Sequence, residues 1–240
     1  MRVKFSLEQQ NRFLNLLNSK NSPWNIETSF YKKTYKYINY IKWIPWLQMI
    51  GIWNSISMNS ANKKSDIDLF IVTSDNALWF VRITITFIFA ILRVRKTANK
   101  HAGRFCLSFF VTKSGINFNK WKIENDVYLY FWIVYFKPLL DYNNTYSLFL
   151  KENSKWAEFS NYEDIIKDNF NYIKYEKEKK EPWIIINKLN KFFKSIFLPK
   201  TSNHYKKLWK PYWIIINDNI LKFHNWDIRK AISETIIIKE

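Results

Sequence analysis

The sequence predicts an α+β fold, a mixed sheet flanked by helices, and three observations carry that expectation. Two apolar runs of strand length, residues 48–52 and 68–72, flank a polar loop and end in turn residues. A long apolar stretch follows at 77–95, hydrophobic nearly all the way round, which reads as a helix packed on several sides. A third strand-like run, 104–112, lies beyond it. Successive strands separated by a helix require a mixed or parallel sheet with helices against it.

The other elements follow in order. Residues 5–18 place Phe5, Leu7, Phe13, Leu14, Leu16 and Leu17 among polar positions, the pattern of an amphipathic helix closed by Asn21-Ser22-Pro23. Residues 25–42 carry Ile26, Phe30, Tyr31, Tyr35, Ile38 and Ile41 mostly at three- and four-residue steps, a second helix from which Pro45 releases the chain into the first strand. Residues 127–137 form a helix by length and lack of breakers, with Pro138 marking its end, and 144–159 continue as another. The mixed charge run 175–182, closed by Pro182, is the clearest linker. Beyond it Ile186, Leu189, Phe193 and Phe197 sit at helical steps beside Lys188, Lys191 and Lys194. Such a basic helix most often packs on its own core, with an anionic membrane or RNA as the alternatives. These elements divide the chain into an N-terminal helical segment (1–46), a central core (47–160) and a helical C-terminal region (161–240).

Composition narrows the function classes. With 240 residues, 48% hydrophobic and 24% charged, the chain can bury a substantial core. The single cysteine, Cys106, excludes an internal disulfide, suits a reducing cytoplasm, and in its apolar run reads as a core thiol. His101, His204 and His224 lie far apart, so a histidine-based zinc site or a Cys/His catalytic pair has no support. The N-terminus lacks a signal-peptide core. The 77–92 stretch nears membrane-spanning length, but it carries Arg82 and directly follows a strand and turn, so no integral membrane segment is expected. The net charge of +18 fits either polyanion binding or an A+T-biased codon usage that also explains the abundant Asn, Ile, Phe and Tyr and the three glycines.

The chemistry is concentrated at Ser65-Asp66-Ile67-Asp68. On a strand, alternate side chains share a face, so Asp66 and Asp68 point the same way while Ile67 enters the core. Two carboxylates on one face suit a divalent metal. Mg²⁺ takes a few carboxylate oxygens together with substrate phosphates. Ser55 falls on the turn after the first strand, where backbone N–H groups and a hydroxyl can hold a triphosphate.

Trp53-Asn54-Ser55-Ile56-Ser57-Met58 followed, ten residues after Ser55, by Asp66-Ile67-Asp68-Leu69-Phe70-Ile71-Val72 resembles the Gly-Ser…Asp-x-Asp signature of the DNA polymerase β-like nucleotidyltransferase superfamily. Residues 76–82, 104–110, 136–140, 145–150 and 220–229 are similar to segments of a group of small bacterial nucleotidyltransferase-domain proteins. The resemblance implies a nucleotidyltransferase-type sheet and a Mg²⁺-dependent transfer of a nucleoside monophosphate from a nucleoside triphosphate such as ATP to an acceptor hydroxyl. It implies that Asp66 and Asp68 are the catalytic metal ligands and that Asn54, Ser55 and Ser65 position the phosphates.

Two departures stand out. The Gly of the signature is Asn54, the non-glycine residue that best tolerates a left-handed backbone. The third carboxylate that many superfamily enzymes carry on a later strand is missing from 105–112, leaving Glu124, Asp126 or Asp141 as candidates. Both departures favour the alternative, a catalytically impaired nucleotidyltransferase-fold protein that binds RNA or another polyanion.

Overall fold

β1 (Leu47–Ile52) and β2 (Ile67–Thr73) pair antiparallel at the middle of the sheet in the computed structural model, which describes residues 2–179, 183–206, 213–224 and 227–237. α3 (Leu78–Ile91) returns the chain so that β3 (Phe105–Thr112) lies parallel to β2, as the strand–helix–strand pattern requires. β4 (Lys137–Tyr142) joins the other side of β1 antiparallel, and β5 (Tyr175–Lys177) extends β4 in parallel. β6 (Trp213–Ile216) and β7 (Ile220–His224) form a hairpin whose second strand pairs antiparallel with β3. The order across the mixed sheet is β5-β4-β1-β2-β3-β7-β6.

Helices cover both faces. Along β2, Phe70 and Val72 enter one core with α1 (Leu7–Leu16), α4 (Val127–Tyr135), α5 (Thr145–Asn153) and α8 (Arg229–Ile237). Ile67, Leu69 and Ile71 enter the opposite core with α2 (Asn25–Ile38), α3 and α7 (Trp183–Lys206). The period-two alternation of β2 thus separates two hydrophobic layers. α6 (Glu163–Phe170) packs beside α4 and β4, and its buried Asn169 donates to the Val134 carbonyl. Local chemistry fixes several helix starts: Ser6 and Gln9 form a reciprocal capping box on α1, and Asp126 accepts from the Leu129 N–H of α4.

Three sequence expectations need correction. The helix expected over 77–95 stops at Ile91, because Arg93 adopts a left-handed φ of 55° and Val94 turns inward, so 93–96 is an exposed return segment beyond the helix. Pro138 marks more than a helix end: β4 begins at Lys137, and the register shift between Ile50 and Gly51 accommodates the proline opposite β1. The expected helical region over 161–240 holds α6, α7 and α8 but also gives β5, β6 and β7 to the sheet. Residues 175–177 of the expected linker are therefore an edge strand, while 180–182 lie outside the described residues.

α7 packs against α3, where Asn190 Oδ1 accepts from the first-turn N–H groups of Trp79 and Phe80, and Phe193 meets Phe80. The basic helix accordingly lies on its own core. Among the described residues no helix is long and apolar enough to cross a membrane.

Candidate metal and nucleotide cleft

Asp66 and Asp68 stand where β2 begins, and the parallel pairing sets Cys106 of β3 directly opposite Asp68. One ligand atom from each of these three half-buried residues lies within 4.8 Å of the others. The register between β2 and β3 then slips: Asp68 pairs with Cys106 but Phe70 pairs with Phe109, so β3 carries one extra residue. This bulge breaks the alternation, and Cys106, Leu107 and Ser108 all line the same cleft. The reading of Cys106 as a core thiol is corrected by that geometry.

The cleft has a volume of about 510 Å³ and is lined by both aspartates and by four cations, Arg82, Arg95, Lys96 and Arg229. Its far wall comes from Tyr205, Trp213 and Phe223, so the C-terminal part of the chain completes it. Tyr205 and Phe223 stack with centroids 4.7 Å apart. The cations differ in commitment. Arg229 is clamped by Asp227 through two hydrogen bonds, by Asp126 at 3.0 Å and by the Trp121 carbonyl, and it lies over the Trp213 ring. Lys96 Nζ lies 2.5 Å from Asp66 Oδ2. Arg82 and Arg95 have no carboxylate partner among the described residues; Arg82 lies over the Phe223 ring, its Nε enclosed and unpaired, and burial pushes its guanidinium down to about 10.

Asn54 bears out the expectation for its turn, with φ of 60°. The chain uses Asn this way repeatedly: seven of the nine non-glycine residues with positive φ among the described residues are Asn. The Asn54 side chain donates to Asp68 Oδ2 at 2.8 Å and accepts from the Tyr128 hydroxyl at 2.7 Å. Burial and the neighbouring Asp66 charge push the Asp68 carboxyl up to about 6, opposed by the hydrogen bonds from Asn54 and Cys106 and by Lys96. Burial, with the Asp68 charge adding to it, also holds the Cys106 thiol well above its ordinary range.

The other expected residues are placed differently. Ser55 is half-buried on the turn after β1, and its carbonyl accepts from the Ser60 N–H and hydroxyl. Ser65 accepts through its hydroxyl from the Asn62 N–H and closes its own loop. Neither serine is part of the cleft wall. Of the candidate third carboxylates, Asp126 caps α4 and pairs with Arg229, Asp141 accepts from the Tyr146 N–H, and Glu124 lines a separate pocket with Lys230. Cys106 occupies the strand position where the sequence shows no acid. Lys96 and Arg95 belong to the basic run 93–96, which the sequence offers as a phosphate binder or, by preference, as a solvated helix end; Tyr128 and Arg82 carry no such signal, and their approach depends on the packing of α4 and α3.

Behind Asp68 lies Lys222 of β7, fully buried, with its ammonium unpaired and facing the rings of Trp213, Trp53 and Phe109 at 3.8, 4.3 and 4.3 Å. Burial drives its amine well below the ordinary lysine range, and Arg229 lowers it further. Between that lowered value and the unfolded value near 10.5, the unfolded chain binds the extra proton, so stability rises with pH. Lys222→Met keeps the stem and removes the buried amine. It is expected to stabilise the fold by roughly 1–3 kcal/mol at neutral pH and to flatten the alkaline rise, as denaturant titrations across pH would show.

Comparison with protein-family models, with curated proteins and with solved structures returns no match for this chain.

Proposed function

We propose that the cleft binds a divalent metal and a nucleoside triphosphate and that the protein is a nucleotidyltransferase. The observation that carries the reading is the convergence of Asp66 and Asp68 on the floor of a cleft whose walls carry cations, two of them without an acidic partner among the described residues. Carboxylates suit a metal; unpaired arginines suit phosphate oxygens. The sequence resemblance to the polymerase β-like superfamily rests on these same two aspartates.

Asp66 and Asp68 would hold the metal, for which Mg²⁺ is the ion that the resemblance implies. When bound, such an ion neutralises charge building up on the transferring phosphoryl group. Arg95 and Arg82 receive the phosphates, and Lys96, released from Asp66, joins them. Asn54 fixes the orientation of Asp68 through the Tyr128–Asn54–Asp68 chain of hydrogen bonds. In the reaction, an acceptor hydroxyl oxygen bonds to the α-phosphorus, the bond from that phosphorus to the bridging oxygen breaks, and pyrophosphate and a proton leave.

Incubation with α-labelled nucleoside triphosphates and Mg²⁺ or Mn²⁺ tests this reading. Label is expected on protein or RNA acceptors with the wild type and is expected to fall by about 100-fold or more with Asp66→Asn. Equal label transfer by the two proteins removes the assignment.

A second reading has its own support. Lys96 already neutralises Asp66 and Asn54 already occupies Asp68, the arrangement of a cleft that holds a polyanion without turnover. Such a binder would show RNA affinity that falls steeply with salt and is indifferent to metal and to Asp66.

A further inference from the structure

We propose that Cys106 is the third ligand of the metal site, so that Asp66, Asp68 and Cys106 together select a thiophilic divalent cation, of which zinc is the representative ion, over magnesium. The inference deepens the reading of the two aspartates as metal ligands, but it does not depend on nucleotidyl transfer.

Three features support it. The parallel register places the Cys106 sulfur beside Asp68, and the three donor atoms lie within 4.8 Å of one another. An ion bound at roughly 2.0–2.3 Å from oxygen and sulfur donors spaces them about 3.5 Å apart, so side-chain adjustments of about 1 Å close the group. The bulge at 107–108 turns consecutive residues of β3 into the cleft, and Ser108, only 8% exposed, places there a hydroxyl with no oxygen or nitrogen partner. That hydroxyl reaches only the Cys106 sulfur, where its hydrogen bond favours the thiolate, and its remaining capacity is open to a ligand or a metal-bound water beside the donors. Finally, Asp66 already carries the ammonium of Lys96, whose side chain is 42% exposed and free to swing into solvent as a cation replaces it.

Ligand chemistry then decides the ion. Mg²⁺ demands near-octahedral oxygen ligands, and thiolate is a poor one; zinc accepts mixed sulfur and oxygen donors in tetrahedral sites. Three protein ligands leave one tetrahedral position open, as zinc sites that act on substrates do. Binding replaces the thiol proton by the metal and releases that proton to solvent.

Because Cys106 is the only cysteine of the chain, a thiolate-to-metal signal has one possible source. The full-length protein, without nucleotide, would be titrated with Cd²⁺ and Co²⁺ and followed by ultraviolet and visible charge-transfer absorption, with Zn²⁺ and Mg²⁺ in competition. The expected result is a thiolate band in the wild type that is lost in Cys106→Ser, with Zn²⁺ affinity falling well beyond the roughly 10–100-fold that loss of an outer-shell partner brings. Asp68→Asn should weaken the same band. Cys106→Asp, which restores three oxygen donors, should shift the preference toward Mg²⁺ and shows that substitution at this position leaves a folded site.

Metal binding of equal strength in the wild type and Cys106→Ser, without a thiolate band, overturns the proposal and leaves the two-aspartate site standing. A band indifferent to both aspartates marks a thiol binding metal on its own and overturns it as well. Absence of metal binding in every variant removes this proposal together with the metal reading of Asp66 and Asp68.

Discussion

Asp68→Asn is expected to lower nucleotidyl transfer by about 1,000-fold or more while making the protein more stable, and the two effects have one cause. Asp68 sits on the buried side of the pair, where desolvation and Asp66 raise its carboxyl to about 6. In the folded state it therefore binds a proton that the unfolded chain, with a value near 3.8, has already released. Between those values the native state holds more protons, so this group's contribution to stability falls as pH rises. Above pH 6 the full penalty is in place, on the order of 1–3 kcal/mol. Asparagine has nearly the same shape, keeps an oxygen for the Asn54 amide to reach, and carries no charge. The variant should melt higher at pH 7, and its stability should lack the decline between pH 4 and 6 that is expected of the wild type. A metal bound at Asp68 reverses the sign in the wild type alone, because the charge that costs stability is then what the ion holds. Thermal melts at pH 4.5, 6 and 7.5, with and without metal, read all of this without an acceptor substrate. If Asp68→Asn melts lower than the wild type at every pH, the carboxylate is a structural support and not a site residue.

The same trade-off recurs around the cleft. Among the described residues the Lys222 amine has no hydrogen-bond partner beneath Asp68, Arg82 is enclosed without an acid, and the Ser108 hydroxyl reaches only the Cys106 sulfur. Each is a local cost that the surrounding aromatic packing carries. Trp53, Phe70, Phe109, Phe118 and Trp132 form a chain of ring contacts with centroids 4.9–6.1 Å apart around this end of the sheet. Such packing fixes the positions of the strands that present the donors, and rigid strands hold a site more closely than loops do. In Arg229 the cost has been met, since its charge is matched by Asp126 and Asp227.

The parts of this architecture that local sequence could announce are those ruled by a single period or a single turn. The β2 run 67–73, its paired acids, the helix after it and β3 follow from alternation and from helix length. Asn54 in the left-handed region follows from the turn that the spacing requires. What escaped was set by tertiary partners. Lys137-Pro138-Leu139-Leu140 reads as a helix end with a proline, and only the register shift beside Ile50 makes room for it in the sheet. The hairpin of β6 and β7 was visible in outline, since Ile214-Ile215-Ile216 and Ile220-Leu221 flank Asn217-Asp218-Asn219, a turn in which Asn217 Oδ1 accepts from the Asn219 N–H. Cys106 could not be promoted from the sequence, because its meeting with Asp68 depends on a parallel pairing and a bulge that no local pattern encodes.

Gly51→Ala is expected to destabilise the fold by about 3–5 kcal/mol. An added Cβ would stand 2.0 Å from Phe136 Cζ and 2.8 Å from the Lys137 carbonyl oxygen. Neither neighbour is free to yield. Phe136 is fully buried and its ring meets those of Phe70, Trp132, Tyr146 and Phe149, while Lys137 belongs to β4, paired with β1 at this point. Relief requires either tearing the ring from its cluster or parting β4 from β1, three residues before Asn54. Overpacking alone costs typically 1–3 kcal/mol, and the lost strand pairing adds to it. For a chain of this length that is a fall in melting temperature of roughly 10 °C. Gly103→Ala makes a control: its Cβ meets only Phe30 Cε1 at 3.4 Å, and the strain of a φ of +63° should cost about 1 kcal/mol. Adding Phe136→Leu to Gly51→Ala removes the ring clash but not the 2.8 Å approach to the Lys137 carbonyl, so the double variant should recover only part of the loss. A Gly51→Ala protein that melts within about 2 °C of the wild type would show that β4 does not lie against β1 in this register, and with it would go the packing that sets the start of the Asn54 turn.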